Sequence, residues 1–341
     1  MSKLLFILKR REDYSATSTL HSNIGLSTGL YNSAKFMNDM MIDSGFESKM
    51  VVVPDNNSID REVYQYKPTH VIIEALWVVP TKFAILQKLH PNVKWIIRLH
   101  SEMPFMAGEG MAMDWIAEYA RFKNIIIACN APRMLREIEF YIGKEKTIYL
   151  PNYYPQNFVH KPFDKNKDTI DVACFGAIRP LKNHLVQVFG AMDFADRIGK
   201  KLRFHVNAGR IEMKGDSVKN NLRGLFQQLP FEKYQLINHQ WTPREEFLKL
   251  CASMDIGMQC NFSETFNIVG ADLTSQGVPL VGSKEIPWST ELFNADPTDS
   301  KDISDTLLRT YYFPQINAKL NQYKLKMYTN NTKKIWNKYF F

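Results

Sequence analysis

Short apolar runs alternate with longer amphipathic stretches along the first half of the chain. The runs are four to six residues long and rich in Ile, Val and Leu, which is typical of strands buried on both faces. They lie at Leu4–Leu8, Lys49–Val53, His70–Ile73, Lys94–Leu99, Asn124–Cys129 and Thr147–Leu150. The stretches between them predict helices at Gly29–Ser44, Thr81–Leu89, Met113–Arg121 and Arg133–Tyr141. This alternation predicts a parallel sheet with helices on both faces.

The pattern breaks at Pro151–Pro155 and in the polar stretch 161–168, and then it restarts. Strands are predicted at Ile170–Phe175, Leu202–Asn207, Tyr234–Ile237, Ile256–Met258 and Pro279–Val281. Helices are predicted at Leu185–Ile198, Asp216–Gln228, Pro243–Ser253 and Asn267–Gln276, and over most of Ser304–Tyr339 with a break at Pro314. The sequence therefore predicts an α/β protein with two Rossmann-like domains, 1–152 and 153–310, and a helical tail, 311–341. Ligands of such sheets bind at the carboxyl ends of the strands.

Composition narrows the classes of protein that fit this pattern. Since no run of 18 or more apolar residues occurs, we expect no integral membrane segment. The four cysteines lack metal-ligand spacing, so we expect reduced, buried thiols in a cytoplasmic protein. The net charge is +8, and the tail from Lys319 to Phe341 has six lysines and no acid. Such a tail suits DNA, an anionic membrane or an acidic substrate, unless it is simply a solvated helix face.

The segment from Asn261 to Val281 is the most informative one for chemistry. A predicted strand ends before it, a polar loop follows, and a predicted helix begins near Asn267. The free amides at the start of a helix form an anion site. Glu264 in the loop and Asp272 in the helix are carboxylates that can accept hydrogen bonds from sugar or ribose hydroxyls.

This segment resembles the Glu-x7-Glu signature of retaining glycosyltransferases with the GT-B fold, the family 4 group that includes glycogen- and sucrose-synthase-like enzymes. Glu264, Phe266 and Gly277-Val278-Pro279 match that pattern, whereas Asp272 replaces the second glutamate and Asn267 replaces a glycine. The resemblance implies that Glu264 contacts the donor sugar and that Asp272 holds the nucleotide ribose. It also implies that the backbone amides of Phe266, Asn267 and Ile268 hold the diphosphate and the sugar.

A second match lies in the loop Phe175–His184, which resembles the family's glycine–arginine–x–x–x–lysine–asparagine loop. Departure of a nucleoside diphosphate builds negative charge on its β-phosphate, and a fixed arginine and lysine stabilise that charge. Arg179 and Lys182 are therefore expected to be catalytic. The alternative is a basic loop that faces solvent.

The remaining candidates lie at strand ends. His100 follows a predicted strand at the position where the family has a histidine near the donor sugar, although a purely structural histidine fits equally well. Gly29 lies in a glycine-containing segment, Asn23–Leu30, that resembles the family's loop near the diphosphate. Gly209 and Arg210 follow a strand where the family places part of the base and ribose pocket.

The resemblance implies two domains facing each other across a cleft and a C-terminal helix that returns toward the first domain. It implies transfer of a hexose or pentose from a nucleotide-diphosphate sugar, UDP- or GDP-linked, to an acceptor hydroxyl with retention of configuration. We expect neither a cofactor nor a metal, since no DxD-type motif adjoins the donor site. The acceptor stays open between a glycan or lipid-linked glycan and a hydroxymethylated base of phage-type DNA, with a peripheral location at a membrane or on DNA. A non-catalytic sugar-nucleotide or glycan-binding protein and a sugar-nucleotide epimerase are the alternatives.

Overall fold

The computed structural model describes residues 2–10, 28–207 and 209–341. This part of the chain forms two compact units. The first unit comprises the residues up to Pro155 together with Thr329–Phe341, and the second comprises Gln156–Tyr328. The segment 311–341 is thus divided between the units rather than set apart from both.

The first unit is built on a parallel sheet with six strands in the described residues. The strands are β1 Lys3–Lys9, β2 Glu47–Val53, β3 His70–Glu74, β4 Lys94–Leu99, β5 Ile125–Cys129 and β6 Thr147–Tyr149, in the order β2-β1-β3-β4-β5-β6. The helices are α1 Gly29–Asp43, α2 Ile59–Tyr66, α3 Pro80–Leu89, α4 Met103–Met106, α5 Ala112–Ala120 and α6 Pro132–Ile142. At least one helix lies between each strand and the next along the chain, as parallel strands require.

Both faces of this sheet are buried, and β1 shows how the sequence achieves this. Leu5 and Ile7 point into one apolar cluster, whereas Leu4 and Phe6 point into another. Successive side chains of a strand alternate between its faces, so a strand covered on both sides is continuously apolar. The sequence pattern therefore identified these strands without showing which face each residue occupies.

The second unit contains a parallel sheet with five strands in the described residues. They are β7 Thr169–Ala173, β8 Lys201–Val206, β9 Tyr234–Asn238, β10 Ile256–Gln259 and β11 Leu280–Gly282, in the order β11-β10-β7-β8-β9. The helices are α7 His184–Arg197, α8 Gly215–Gln227, α9 Arg244–Ser253, α10 Ile268–Ser275, α11 Ser300–Tyr312 and α12 Pro314–Phe340. The order of the strands reverses between β7 and β10, and such a switch point opens a crevice at the carboxyl ends of the strands.

Helix α12 ends in the first unit. Trp336 stacks on Phe6 with ring centroids 6.0 Å apart, and its indole N–H donates to the Pro151 carbonyl at 2.9 Å. Thr332 donates to the Asn152 carbonyl at 3.0 Å. The predicted return of the C-terminal helix to the first domain is confirmed by these contacts. Pro314 begins α12, where proline lacks only an N–H that would have no partner within the helix.

Two helices were not predicted. Helix α2 follows Asp55, whose carboxylate accepts from the Asn57 amide at 2.8 Å, and its Ile59 and Val63 are buried. Two apolar residues four positions apart are typical of a helix, but α2 is only about two turns long, which is too short for the pattern to be distinctive. Helix α4 lies within the methionine-rich stretch 103–113, where Met106 is buried and Met111 is 60% exposed. This stretch is therefore partly core and partly surface.

Candidate active site

The crevice of the second unit lies between two loops, 174–183 after β7 and 260–267 after β10. The first loop is fixed by its neighbours. Gly176 has a φ of +116°, which L-residues rarely adopt, and its N–H donates to Asn207 Oδ1 at 3.0 Å. Ile178 pairs with Ile211 in an isolated parallel bridge. The side-chain amide of Asn183 donates to the carbonyls of Cys260, at 3.0 Å, and Pro297, at 2.6 Å. These hydrogen bonds hold the loop that carries Arg179 and Lys182.

Lys182 and Glu264 form an ion pair between the two loops. Their side chains are only 11% and 9% exposed, respectively. Asn261 supports the pair by donating from Nδ2 to Glu264 Oε1 at 2.7 Å. The sequence predicted both charged residues as catalytic, and the structure brings them together at the β7–β10 switch point.

Helix α10 begins directly beside this pair. Its cap is Asn267, which has a φ of +64° and accepts from the Gly270 N–H at 2.7 Å through Oδ1. Nδ2 of Asn267 donates at 2.9 Å to the carboxamide oxygen of Gln259. Asparagine adopts the left-handed conformation more readily than most residues. It therefore keeps the turn in which the resembled family has glycine and adds a side-chain cap.

The remaining residues of this segment differ in their surroundings. Phe266 is 2% exposed and packs against Trp288, whose indole N–H donates to the Phe266 carbonyl at 2.6 Å. Ile268 is the first residue of α10, where helix amides lack partners within the helix. Asp272 is buried, and its Oδ1 lies 2.7 Å from Nη2 of Arg244 at the start of α9.

Arg179 takes part in a second charged cluster. Its Nη1 lies 3.0 Å from Glu212 Oε2, and Arg210 Nε donates to Glu212 Oε1 at 2.8 Å. One carboxylate thus joins guanidinium groups from the loops after β7 and β8. The Arg210 guanidinium also lies 5.2 Å from the centroid of the Trp241 ring. Gly209 adjoins that tryptophan, since a Cβ at Gly209 would lie 3.0 Å from the Trp241 backbone nitrogen.

His100 belongs to a buried network in the first unit. Its Nε2 bonds to the Glu74 carboxylate, which also accepts from Arg98 Nη1 at 3.1 and 3.2 Å. Arg98 donates further to Asn152. Burial would raise the pKa of the Glu74 carboxyl, but Arg98 and His100 outweigh it and lower that pKa. Burial and Arg98 lower the pKa of His100, so its imidazole is neutral near pH 7.

The same network sets the tautomer of His100. Because Glu74 is ionised, Nε2 of the neutral imidazole carries the proton and donates a hydrogen bond to the carboxylate. The carboxylate of the nearby Glu102 lies 2.9 Å from Arg133 Nε. Gly29 begins α1, and Thr28 caps that helix by accepting from the Tyr31 amide at 3.3 Å. The preceding residues of the glycine-containing segment, 23–27, lie outside the described residues.

Sequence reasoning missed several polar residues of both networks. Glu74 and Arg98 are charges inside strands that are otherwise apolar, and this was a usable signal because charged residues are rarely buried unless they are paired. Gln259, Asn261 and Glu212 gave no such signal. Their roles depend on which neighbouring loop faces them.

Two negative findings apply to the described residues, 2–10, 28–207 and 209–341. They contain no cluster of three or more His, Cys, Asp or Glu side chains arranged to hold a metal ion. They also contain no helix long and apolar enough to cross a membrane. All four cysteines are buried and unpaired with one another, and burial raises the pKa of the Cys129 thiol to about 12.

Comparison with known proteins identified similarity in structure only. No family model and no curated protein sequence matches this chain. Sucrose-phosphate synthase from Thermosynechococcus elongatus matches with a TM-score of 0.69 and 11% identity, over 95% of this chain and 94% of that one. The UDP-forming α,α-trehalose-phosphate synthase from Burkholderia vietnamiensis matches with a TM-score of 0.67 and 12% identity, over 100% and 96%. A UDP-forming α,α-trehalose-phosphate synthase from Burkholderia xenovorans matches with a TM-score of 0.65 and 13% identity, over 100% of this chain and 98% of that one. The chain therefore has the GT-B fold of these glycosyltransferases, as its sequence resemblance predicted.

Proposed function

We propose that this protein is a glycosyltransferase that moves a sugar from a nucleotide-diphosphate sugar to a hydroxyl of an acceptor. The observation that carries the proposal is the Lys182–Glu264 ion pair beside the start of α10. A helix N-terminus attracts a diphosphate. The lysine beside it can bind the same diphosphate, and the carboxylate can accept hydrogen bonds from the hydroxyls of the sugar. The two trehalose-phosphate synthases with the same fold are UDP-forming enzymes, which supports a nucleotide-diphosphate sugar as the donor.

The proposed chemistry begins with the diphosphate against the first amides of α10. The bond between the anomeric carbon and the β-phosphate oxygen breaks, and negative charge grows on the phosphate. Lys182 and Arg179 stabilise that charge, while Glu264 accepts a hydrogen bond from a sugar hydroxyl. The acceptor hydroxyl forms the new bond to the anomeric carbon and passes its proton to the leaving phosphate.

We propose that the anomeric configuration is retained. A retaining enzyme with a covalent intermediate needs a carboxylate aimed at the anomeric carbon. Glu264 is instead held by Lys182 and Asn261, which favours attack by the acceptor on the face that the phosphate leaves. Catalysis would then depend on positioning and charge stabilisation. His100, neutral and oriented by Glu74, is suited to hydrogen-bond a sugar hydroxyl.

The donor and the acceptor are proposed by class. We expect a UDP- or GDP-linked hexose or pentose as donor, and a glycan or lipid-linked glycan as acceptor. The exposed lysines of α12, among them Lys319, Lys324 and Lys326, are the observation that keeps a hydroxymethylated DNA base as a second acceptor class.

The first test is thermal unfolding with UDP, GDP, ADP, CDP and their sugars. A ligand at ~100 times its dissociation constant adds about 2.7 kcal/mol to the free energy of unfolding. One nucleotide should raise the melting temperature of the wild type, and less so that of Lys182→Ala. The control is Lys301→Ala, which removes an exposed lysine of α11 that pairs with Asp305.

Product analysis with the nucleotide sugar identified in this way separates the functional classes. A transferase releases the free nucleoside diphosphate in step with a glycosylated acceptor. An epimerase returns an altered nucleotide sugar, and a binding protein returns the nucleotide sugar unchanged. If no nucleotide shifts the melting temperature, the transferase proposal is wrong.

A further inference from the structure

The outward face of helix α12 in the second unit carries three large apolar side chains in a row. Ile316, Tyr323 and Met327 are 49%, 59% and 51% exposed, respectively. They are seven and four residues apart, so they lie along one side of a helix that repeats every 3.6 residues. We call these three residues the apolar line. Apolar residues scattered singly over a surface need no explanation, whereas a continuous apolar feature marks a contact site.

The opposite face of the same turns fixes α12 to the sheet. Leu325 is buried there. Asn317 accepts from the Leu280 N–H at 2.8 Å and donates to the Leu280 carbonyl at 2.9 Å. Asn321 accepts from the Thr290 N–H at 3.0 Å. The helix is therefore held in one orientation, and the apolar line stays at the surface of this unit.

Lysines flank the apolar line on both sides. At about 100° per residue, Lys319 and Lys326 project on one side of the line and Lys324 on the other, and all three are exposed. No Asp or Glu occurs from Thr306 to Phe341, so the helix has no carboxylate to offset these charges. The stem of a lysine is apolar and its end is charged, so it can lie beside apolar groups while its ammonium reaches more polar surroundings.

An anionic membrane surface fits this arrangement better than DNA does. A helix that lies in the membrane interface buries an apolar strip among the acyl chains, and its basic residues are attracted to anionic lipids. Duplex DNA is bound chiefly through its phosphates, which lysines contact but which Ile316 and Met327 cannot. The apolar line between the lysines therefore favours the membrane.

We propose that the outward face of α12, from Ile316 to Met327, is a docking surface for an anionic phospholipid bilayer. The apolar line enters the interface between headgroups and acyl chains, and the flanking lysines contact the anionic headgroups. Because the inner face of α12 stays on the sheet, the helix lies along the plane of the membrane. No nucleotide takes part in this contact, so its test is independent of the proposed function.

The test is cosedimentation of the full chain with lipid vesicles, without any nucleotide. One set of vesicles contains equal parts of phosphatidylcholine and phosphatidylserine, and the other contains phosphatidylcholine alone. We expect the wild type to bind the anionic vesicles at least about tenfold more tightly, because each lysine near an anionic surface contributes about fivefold. A short duplex DNA, tested at the same ionic strength, supplies the competing class of partner.

The charge of the surface is tested with K319Q/K324Q, which removes one lysine from each side of the apolar line. We expect binding to the anionic vesicles to weaken by about 20-fold. The control K249Q/K301Q removes two exposed lysines of α9 and α11. Its binding should stay within about threefold of the wild type, because charges away from the contact are screened.

The apolar line is tested with Y323S/M327S, which keeps every lysine. We expect binding to the anionic vesicles to weaken by about tenfold or more, because less apolar surface enters the interface. The control F189S/F231S removes two other exposed apolar side chains of this unit, which are 52% and 70% exposed, and should bind as the wild type does. Circular dichroism and thermal unfolding verify that each variant folds.

Several results would overturn the proposal. A wild type that does not bind the anionic vesicles has no such docking surface. If Y323S/M327S binds them as tightly as the wild type, the apolar line does not enter the membrane. If the two controls lose as much binding as the two test variants, the contact is not specific to α12. If the wild type prefers the duplex DNA and only K319Q/K324Q weakens that binding, this face is a nucleic-acid surface instead.

Discussion

The ammonium group of Lys182 pairs with the carboxylate of Glu264, although the two residues are 82 positions apart in the sequence. Each residue follows a different strand, β7 or β10, and these strands are neighbours only because the sheet order reverses between them. The resting crevice is thus neutral at this pair. Under the proposed function, a diphosphate that draws Lys182 toward itself would free Glu264 to accept a hydrogen bond from the sugar.

Replacement of Lys182 by alanine should lower kcat by about 100-fold or more, because the charge that develops on the leaving phosphate loses one cation. The measurement is the initial rate of nucleoside diphosphate release with saturating nucleotide sugar and acceptor. Lys301→Ala should keep the wild-type rate. A Lys182→Ala variant that retains half of the wild-type kcat would show that this lysine does not act on the leaving group.

The Glu74–Arg98 pair should be strongly coupled in stability. Both side chains are fully buried, and removal of one partner from a buried pair costs about 3–5 kcal/mol. We therefore expect Glu74→Gln and Arg98→Met each to cost that much. Because the double variant leaves no unpaired charge, its cost should be clearly less than the sum. Urea unfolding of the four proteins measures the coupling, and additive costs would contradict it.

Stability should fall as the pH drops below about 6.5. Burial and Lys94 lower the pKa of His70 to about 4, while burial, Lys182 and Arg179 lower that of His184 to about 3. Between these values and the ordinary value of 6.5, the unfolded chain binds more protons than the folded one. Each histidine therefore removes up to about 1.4 kcal/mol per pH unit as the pH decreases.

His184→Leu tests this pH dependence. Neither ring nitrogen of His184 has a hydrogen-bond partner among the described residues. Replacement by leucine therefore removes a titrating group without removing a side-chain hydrogen bond seen there. We expect a shallower loss of stability between pH 6.5 and 4, measured by denaturant unfolding at several pH values. The exposed His160 supplies the control variant His160→Gln. An unchanged slope in His184→Leu would contradict the prediction.

Asn267 should be replaceable by glycine at a smaller cost than by alanine. Glycine keeps the positive φ and loses the cap on Gly270, whereas alanine loses the cap and is also strained by about 1–2 kcal/mol. We expect Asn267→Ala to cost about 2–3 kcal/mol and Asn267→Gly to cost about 1 kcal/mol or less. Urea unfolding measures both costs. Equal costs would show that the left-handed backbone does not matter there.

Transfer should be independent of divalent metal ions. Arg179, Lys182 and the start of α10 supply the positive charge that a metal ion provides at other diphosphate sites. We expect full activity after exhaustive treatment with a chelator. Loss of activity that only Mg²⁺ or Mn²⁺ restores would show that these groups do not suffice.

The sequence by itself determined the order of the main elements and the location of the loops that we propose as the donor site. A parallel strand buried on both faces must be apolar along its length, so runs such as Lys94–Leu99 were identified with their observed bounds. The loop residues Arg179, Lys182 and Glu264 were singled out because they lie in loops after predicted strands and because those loops resemble motifs of a known family. Such features depend on neighbours in sequence, and a single chain displays them.

Tertiary structure alone decided which loops meet and which charges pair. Glu74 orients His100 because β3 lies beside β4 in the sheet. Glu212 joins two arginines only because the loops after β7 and β8 are bridged. Asp272 faces Arg244 through the packing of α9 against α10. Hydrogen bonds and ion pairs act over a few ångströms in space, whatever the separation in sequence, so the partner of a buried charge is set by strand order and helix packing.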